Sequence, residues 1–227
     1  MSKEDPRPNQ VFVGCPWKTV RSKYENLIND FKKSYPLSFV IVGRGGDQNA
    51  GELLNIIKGR LFSSSGAIFD ASGGNANVSL EYGMAEAKEI PRAIYITKHK
   101  RAKDSKSDAA IISDLAGKKR NEYKQLNGLK KLLTQYAKTH SYTKRFEAFL
   151  KKEYGRLSKG NKKSKCSLAL KIIHLLDEKD SVRRSDIASE LQGQAYTEED
   201  VTNSLKSLHK SRLIRCSEGR YSDVSIT

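Results

Sequence analysis

The first 97 residues alternate between short apolar runs and segments in which apolar residues recur every three or four positions. The apolar runs are QVFVGC, LSFVIVG, GAIFD and RAIYIT, at residues 10–15, 37–43, 66–70 and 92–97. The segments 17–31, 51–62 and 78–88 lie between them and predict amphipathic helices. Strands that are apolar throughout and separated by helices indicate a parallel sheet covered on both faces. We therefore predict an α/β fold with a flavodoxin-like (Rossmann-like) parallel sheet, with a weaker fifth strand at residues 109–114.

The rest of the chain follows a different pattern. Helical spacing returns at residues 115–138 and 141–154 after a basic loop at 98–108, and GRLSKGNKKSK at 155–165 has the composition of a linker. Residues 166–227 hold three amphipathic helices, with Ser185 and Thr197 as predicted N-caps of the last two, and a hairpin turning at Glu218 and Gly219. This order predicts a winged helix. We expect an α/β domain at 1–139, a basic helix and linker at 140–165, and a winged helix-turn-helix domain at 166–227.

Charge is distributed unevenly along the 227 residues, which hold 42 Lys and Arg against 26 Asp and Glu, a net charge of +16. Residues 98–165 carry a net charge of +15, whereas residues 1–97 carry +2 and residues 166–227 carry −1. A positive excess of this size indicates a polyanionic partner such as nucleic acid or a nucleotide, or an acidic protein. A solvated lysine face is the alternative interpretation of the middle segment.

Several classes of protein are disfavoured by composition. The sequence has no apolar run long enough for a membrane span and no apolar signal core at its N-terminus, so we expect a cytoplasmic protein without a membrane partner. The three cysteines are far apart and odd in number, which argues against a disulfide framework. The four histidines form no ligand pattern with them, so neither a metal nor another cofactor is expected.

The predicted sheet brings three polar loops to one edge. The loops GCPW, GRGGDQNAG and DASGGNANVSLE follow the first three strands, and ligands of open parallel sheets bind beyond the carboxyl ends of the strands. Glycines there allow backbone N–H groups to approach a ligand, and helix N-termini favour anions. Glu81 is expected in the first turn of the helix that leaves the third loop. The candidate substrate-binding residues are Gly14, Cys15, Trp17, Gly43, Arg44, Gly45, Asn75, Asn77 and Tyr82.

The segment FDASGGNANVSLEYGMAEAKEIPRAIYIT resembles the nucleoside 2-deoxyribosyltransferase family and its TIR-like relatives, over about residues 10–135. The resemblance implies that Glu81 of the EYGMA segment attacks the anomeric carbon of a nucleoside, and Asp70 matches a common family acid. The family often has a further Asp in this loop, where Asn75 and Asn77 stand here, so hydrolysis is as open as transfer. Family members often complete their site across a subunit interface, which implies a homo-oligomer.

The chemistry assigned to Glu81 has a simple basis. Cleavage of an N-glycosidic bond passes through an oxocarbenium-like state, which a carboxylate stabilises or bonds to directly. Asp70 or an Asn would then hold a sugar hydroxyl or steer protons to the leaving base. Purely structural interpretations stand beside these, since an acid in the first turn of a helix meets the helix dipole, and an Asp commonly starts a turn. Trp17 and Tyr82 could stack on the base, and the alternative for Trp17 is a cap on the first helix.

The winged helix is an imperfect match for DNA. Its third helix opens with three acids, Glu198, Glu199 and Asp200, which would repel phosphates. Contact with DNA is therefore expected at a basic edge, and dimerisation or docking to a protein is an equal alternative. The residues of this edge are Arg183, Arg184, Lys206, Lys210, Arg215 and Arg220.

Three functions are expected from these features. The first is an effector that cleaves the N-glycosidic bond of a nucleotide, a nucleoside or NAD, with NAD or the nucleotide as substrate rather than cofactor. Its pairing with a winged helix resembles bacterial anti-phage effectors, including retron-encoded ones, in which a nucleic-acid or protein partner restrains a toxic hydrolase. The second is a nucleotide-sensing winged-helix DNA-binding regulator without catalysis, and the third is a structural adaptor.

Overall fold

The structure is a computed structural model that describes residues 6–43, 50–98, 119–179, 181–192, 196–217 and 223–227. The chain divides into two compact units. Unit 1 comprises Met1–Asn29 and Phe39–Tyr136, and unit 2 comprises Asp30–Ser38 and Ala137–Thr227. The predicted strand at 109–114 and most of the predicted basic loop lie outside the described residues.

A five-stranded parallel sheet forms the centre of unit 1. Its strands are β1 (Arg7–Gly14), β2 (Ser38–Val40), β3 (Ser64–Asp70), β4 (Arg92–Thr97) and β5 (Arg120–Tyr123). They lie in the order β2-β1-β3-β4-β5, which is the doubly wound order with a switch point between β1 and β3. The prediction of a Rossmann-like α/β fold is thereby confirmed.

Helices α1 (Arg21–Phe31), α2 (Ala50–Phe62), α3 (Ala76–Ala87) and α4 (Leu126–Thr139) accompany this sheet. Strand β3 is buried almost along its whole length, as expected of a central parallel strand. Burying side chains such as Ile68 and Phe69 contributes about 1.5–3 kcal/mol each. The core around β3 consists of Phe12, Leu61, Ala67, Phe69, Ala71, Val78, Tyr82, Ala85, Ile90 and Ile94.

Two strands differ from the sequence prediction. Strand β2 is only three residues long, within the seven-residue apolar run at 37–43. Strand β5 lies inside the predicted helix at 115–138, because the sequence RNEY pairs in parallel with β4 from Arg120 opposite Ile94 to Tyr123 opposite Thr97. Only Tyr123 is buried in it, so pairing with β4 rather than hydrophobic pattern determines its conformation.

Unit 2 is mainly helical, with helices α5 (Ser141–Tyr154), α6 (Lys159–Glu178), α7 (Arg184–Gln192) and α8 (Glu198–Lys210). Strands β6 (Val182–Arg183), β7 (Ile214–Cys216) and β8 (Asp223–Ile226) form an antiparallel sheet in the order β6-β8-β7. Strands β7 and β8 pair from Ile214 opposite Ile226, as the predicted hairpin requires, while its predicted turn lies outside the described residues. The buried residues from the helices of this unit include Phe146, Phe149, Leu168, Ile172, Ile173, Ile187, Val201, Leu205 and Leu208.

The segment expected as a linker is largely helical. Helix α6 begins at Lys159 and continues without interruption into the amphipathic stretch that ends at Glu178. Lysine is a good helix former, so a pattern of few apolar residues does not prevent extension of an adjoining helix. Helix α5 also belongs to unit 2, and its residues Tyr142, Phe146 and Phe149 are buried.

Helix ends follow local capping chemistry. Thr197 caps α8 as predicted, in a capping box with Asp200. Helix α7 starts at Arg184, one residue before its predicted cap Ser185. No helix among the described residues has the length and apolar character needed to cross a membrane.

Candidate active site

A cleft of about 670 Å³ opens in unit 1 beyond the carboxyl ends of β1 and β3. Its walls come from the β1–α1 loop, the β3–α3 loop, and the helices α2 and α3. This is the edge at which the sequence pattern predicted a ligand site. The residues that line it are Cys15, Pro16, Trp17, Lys18, Thr19, Val42, Leu53, Leu54, Ile57, Ser72, Gly73, Asn75, Asn77, Val78, Leu80, Glu81 and Met84.

Helix α3 places Glu81 in its second turn rather than in its first. The helix starts at Ala76 because the side chain of Asn75 caps it, accepting hydrogen bonds from the backbone N–H groups of Asn77 and Val78. Its first turn contains no acid. Since the effect of the helix dipole falls off within the first turn, the dipole does not account for a carboxylate at Glu81.

Glu81 is half-buried as a residue, and one of its two carboxyl oxygens is enclosed by the protein. Its Oε2 atom has no hydrogen-bond partner among the described residues. Burial raises the pKa of this carboxyl from its usual 4.5 to about 7. Leaving a buried polar group unpaired costs about 1–3 kcal/mol. A carboxyl group that destabilises the fold in this way and has a raised pKa is characteristic of functional sites when it lies in a cleft.

The end of β1 makes room for this carboxyl. A Cβ atom at Gly14 would overlap with Oε2 of Glu81 and with the ring of Phe69. Only a residue without a side chain therefore allows β1 to pass so close to the carboxyl group. Gly14 itself is not among the cleft-lining residues.

The thiol of Cys15 lies next in the chain and lines the cleft, although the residue is buried. Burial, together with the negative charges of Asp70 and Glu81, raises the pKa of this thiol to about 12. It therefore stays protonated at neutral pH, and a thiolate nucleophile is not available there.

Asp70 is enclosed at the end of β3 and is fully buried. Its Oδ2 atom accepts hydrogen bonds from the hydroxyls of Tyr24 at 2.9 Å and Tyr123 at 2.6 Å, and its Oδ1 atom accepts one from the backbone N–H of Ser72 at 3.0 Å. Burial and the charge of Asp70 raise the pKa of both phenols, so they remain donors. Asp70 does not line the cleft, and its bonds connect three elements of unit 1.

The β3–α3 loop is fixed by local bonds and by glycine. Gly73 and Gly74 have φ values of 74° and 59°, a left-handed conformation that glycine adopts without strain. The Ser72 hydroxyl lies 2.8 Å from that of Thr97 and accepts a hydrogen bond from the Thr97 backbone N–H. These contacts hold the loop that leads into Asn75 and α3.

Trp17 stands at the opening of the cleft with 42% of its surface exposed. The guanidinium of Arg21 lies 4.3 Å from the centre of the indole ring, and Glu25 holds Arg21 by a 2.6 Å ion pair. Lys18 is the one cation among the described residues that line the cleft. Trp17 therefore supplies a planar surface to the cleft, and Lys18 supplies a single positive charge.

Much of the cleft wall is apolar, and the sequence pattern did not identify it. Leu53, Leu54 and Ile57 of α2 line the cleft together with the apolar residues Val78, Leu80 and Met84 of α3. Their spacing predicts an apolar helix face, and periodicity does not distinguish a covered face from one that lines a cleft. Leu80 lies in the same wall and is 55% exposed, so it is not part of the core.

The other predicted substrate-binding residues are distributed differently. Asn75 and Asn77 line the cleft, but Tyr82 does not, because it faces the core and packs edge-on against Phe69 with ring centres 5.4 Å apart. Tyr82 is therefore not placed to stack on a ligand in the cleft. Gly43 lies against the guanidinium of Arg21, and the predicted Arg44 and Gly45 lie outside the described residues.

The predicted nucleic-acid contacts in unit 2 fall on several elements. Lys206 and Lys210 are exposed on one face of α8 together with Asn203, and Glu199 lies on the same face nearer the helix start. The remaining residues are Arg183 in β6, Arg184 at the start of α7, Arg215 in β7, and Arg220, which lies outside the described residues.

No metal site stands out in the described part of the chain, where no cluster of three or more His, Cys, Asp or Glu side chains could hold an ion. Cys15, Cys166 and Cys216 are all free thiols.

Comparison with known proteins gives a distant similarity. No protein-family model and no curated protein matches the sequence. The structure of translation elongation factor SelB from Methanococcus maripaludis, in complex with the GTP analogue GPPNHP, is similar with a TM-score of 0.42 and 12% sequence identity. The match covers 60% of this chain and 35% of that chain, so this chain spans about a third of that protein's length. Similarity at this level carries no argument about activity, and the fold defines the chain only as an α/β protein with a Rossmann-like sheet.

Proposed function

We propose that unit 1 is an N-glycosidase or (deoxy)ribosyltransferase-like enzyme that cleaves the bond between the sugar and the base of a nucleotide, a nucleoside or NAD. The observation that carries the proposal is the buried Oε2 atom of Glu81, unpartnered among the described residues, in a cleft of about 670 Å³. Glu81 lies beyond the first turn of α3, so the helix dipole does not account for its carboxylate, and no described group donates a hydrogen bond to its Oε2 atom.

Ionised Glu81 supplies the negative charge that the reaction needs. A bond forms between a Glu81 oxygen and the anomeric carbon while the C–N bond breaks, and the base leaves with the electron pair of that bond. Water, or a second base in a transfer reaction, then attacks the anomeric carbon, and the bond to Glu81 breaks with its electrons returning to the carboxylate. From the same position, the Glu81 carboxylate can instead stabilise an oxocarbenium ion without forming a covalent bond to it.

The other residues take supporting roles in this proposal. Asn75 and Asn77 offer amide groups to sugar hydroxyls, and Lys18 offers one charge to a phosphate. Asp70 is assigned a positioning role instead of the proton transfer expected from the sequence, because its carboxyl is fully buried and accepts three hydrogen bonds. It holds the end of β3 and the start of the β3–α3 loop in place.

The test is release of free base. Purified protein is incubated with NAD, deoxynucleoside monophosphates and nucleosides, with and without added nucleic acid, and the base is followed by chromatography. We expect the wild type and Glu89→Gln, a substitution at an exposed residue just beyond α3, to release base, and Glu81→Gln to lose most of the activity. If wild type and Glu81→Gln release base equally, the proposal is wrong.

The pH profile adds a second readout. With the pKa of Glu81 at about 7, we expect kcat/KM to rise with pH through about 7 when the ionised form reacts. A profile that falls over this range would assign Glu81 the role of an acid instead.

For unit 2 we propose a winged helix formed by α6, α7, α8 and the β6-β8-β7 sheet. The order of helices and strands and the pairing of β6 with β8 support it. Its exposed α8 face with Lys206 and Lys210 favours a second function, a nucleotide-sensing DNA-binding regulator. In that case Lys206→Ala weakens DNA binding and lowers its salt dependence, while Glu81→Gln leaves nucleotide binding intact.

The combination of both units suggests a biological setting. A nucleotide-degrading enzyme is harmful to its own cell, and a second module that contacts nucleic acid or a protein would keep it inactive until needed. We therefore place the protein, as a proposal, among anti-phage effectors under the control of such a partner. Expression of wild type and Glu81→Gln in bacteria tests this, because only the wild type should slow growth when the partner is absent.

A further inference from the structure

Six cations lie close together where α5 ends and α6 begins. Residues 151–163 contain them along with a single acid, Glu153. All six side chains are exposed, and together they define what we call the α5–α6 basic surface: Lys151, Lys152, Arg156, Lys159, Lys162 and Lys163.

These cations do not hold the fold together. None of the six makes an ion pair with an acid in the described part of the chain. Nearby cations do have such roles: Lys165 pairs with Asp200 at 2.5 Å, and Arg145 donates to the backbone carbonyl of Thr227 at 3.0 Å. The six charges therefore remain available to an external partner.

The start of α6 also goes against ordinary helix chemistry. Its first turn has no acid but begins with Lys159, and its N-cap Ser158 makes no side-chain hydrogen bond. Cations near a helix N-terminus meet the positive end of the dipole, which is unfavourable. Every residue from 155 to 164 is exposed, so packing does not compensate for it. Positions at which a sequence contradicts local preference are often functional ones.

The spacing of the charges suits a phosphate backbone. At a rise of about 1.5 Å per residue, Lys159 and Lys163 lie about 6 Å apart along the helix axis. Duplex DNA carries one charge per about 1.7 Å of its axis, so three lysines face a similar number of phosphates over that length. Five of the six cations are lysines, which act as point charges and do not read base edges by bidentate bonds.

A membrane surface is a poorer match. Basic helices that bind membranes insert an apolar face, and the apolar face of α5, including Phe146 and Phe149, is buried in unit 2. Leu157, at 39% exposure, is the one exposed large hydrophobic residue of the stretch.

We propose that the α5–α6 basic surface binds the sugar–phosphate backbone of nucleic acid without base specificity. This site is separate from the α8 face predicted from the sequence, and it does not depend on the activity assigned to Glu81.

The test is fluorescence anisotropy with a labelled duplex of about 20 base pairs and a second duplex of scrambled sequence, in KCl from about 50 to about 200 mM. The full-length protein is compared with the triple variant Lys159→Glu, Lys162→Glu, Lys163→Glu. The matched control, Lys130→Glu, Lys131→Glu, Lys138→Glu, makes the same change in net charge at exposed positions of α4. Circular dichroism and thermal unfolding check that each variant folds.

We expect equal affinity for both duplexes and at least tenfold weaker binding by the α6 variant, with a salt slope reduced by about 2–3. The α4 control should lose less than threefold. If the α6 variant does not fold, the milder pair Lys162→Gln, Lys163→Gln serves instead, with a slope reduced by about 2. The proposal is overturned if the control loses as much as the α6 variant, if wild type binds neither duplex, or if it binds phosphatidylserine vesicles but no duplex.

Discussion

The carboxyl group of Glu81 lies against the α-carbon of Gly14, where β1 ends and the cleft begins. A Cβ atom at position 14 would overlap with Oε2 of Glu81, and it would also meet the ring of Phe69. The two residues are far apart in the sequence and belong to different elements of unit 1. The close approach explains why the carboxyl group is shielded from water and why its pKa is raised.

Gly14→Ala is therefore expected to displace the Glu81 carboxyl. A shift of about 1 Å in a reacting group can lower a rate about 100-fold, so we expect base release to fall by a factor of about 10–100. Overlap with Phe69 should also cost about 1–3 kcal/mol of stability. Rates are measured by chromatography and the free energy of unfolding by urea denaturation.

The matched control is Gly83→Ala in α3. An added Cβ there meets nothing within 4 Å, and alanine favours a helix interior over glycine by about 0.5–1 kcal/mol. We expect this variant to be slightly more stable and equally active. Equal activity of Gly14→Ala and wild type would contradict the assigned role of the close approach.

Glu81→Gln should change the pH dependence of stability. The pKa of Glu81 is raised from 4.5 to about 7, so between these values the folded protein holds a proton that the unfolded chain has lost. Wild-type stability should accordingly fall as pH rises through this window, by up to about 3 kcal/mol, and stay level above it. The variant lacks this loss, so its stability relative to wild type should increase from pH 4.5 to pH 8.

Urea denaturation at several pH values measures that difference. Glu89→Gln, at an exposed position, serves as the control and should give a constant difference from wild type. A flat difference for Glu81→Gln would show that its carboxyl titrates normally and is not buried.

The architecture of unit 1 follows from the sequence because each of its central strands contains an apolar run. Strands β3 and β4 and the loop with Gly73 and Gly74 carry clear local signals. Strand β5 does not, since its sequence RNEY is polar and its conformation depends on pairing with β4, a contact that no local pattern reveals.

The candidate site was predictable in part for the same reason. Glu81 and Asn75 follow a strand that ends at the ligand-binding edge, and this places both in the cleft. The burial of Asp70 by Tyr24 and Tyr123 could not be read from the sequence, because the three residues meet only through the fold. The apolar wall of α2 was missed because spacing marks an apolar face without showing what lies opposite.

Tyr123→Phe tests whether Asp70 is structural. The substitution removes the 2.6 Å hydrogen bond to a fully buried carboxyl, which should cost about 1–3 kcal/mol of stability. Since neither Tyr123 nor Asp70 lines the cleft, the affinity for substrate should change little. The control is Tyr35→Phe, which retains the stacking of this ring on Phe31. Its free energy of unfolding should stay within about 0.5 kcal/mol of wild type. Unchanged stability with strongly reduced activity would instead place Asp70 in the chemistry.

Thr197→Ala and Ser158→Ala compare an N-cap residue that makes a side-chain hydrogen bond with one that makes none. Thr197 accepts a hydrogen bond from the backbone N–H of Asp200 at 3.1 Å in a capping box, whereas Ser158 makes no side-chain capping bond at the start of α6. Loss of the first cap should destabilise the protein by about 1 kcal/mol, and loss of the second should have almost no effect. Urea denaturation followed by circular dichroism measures both. A loss of stability in Ser158→Ala as large as that in Thr197→Ala would show that α6 is capped by its own serine, and this would remove one of the arguments for an anionic partner at that helix end.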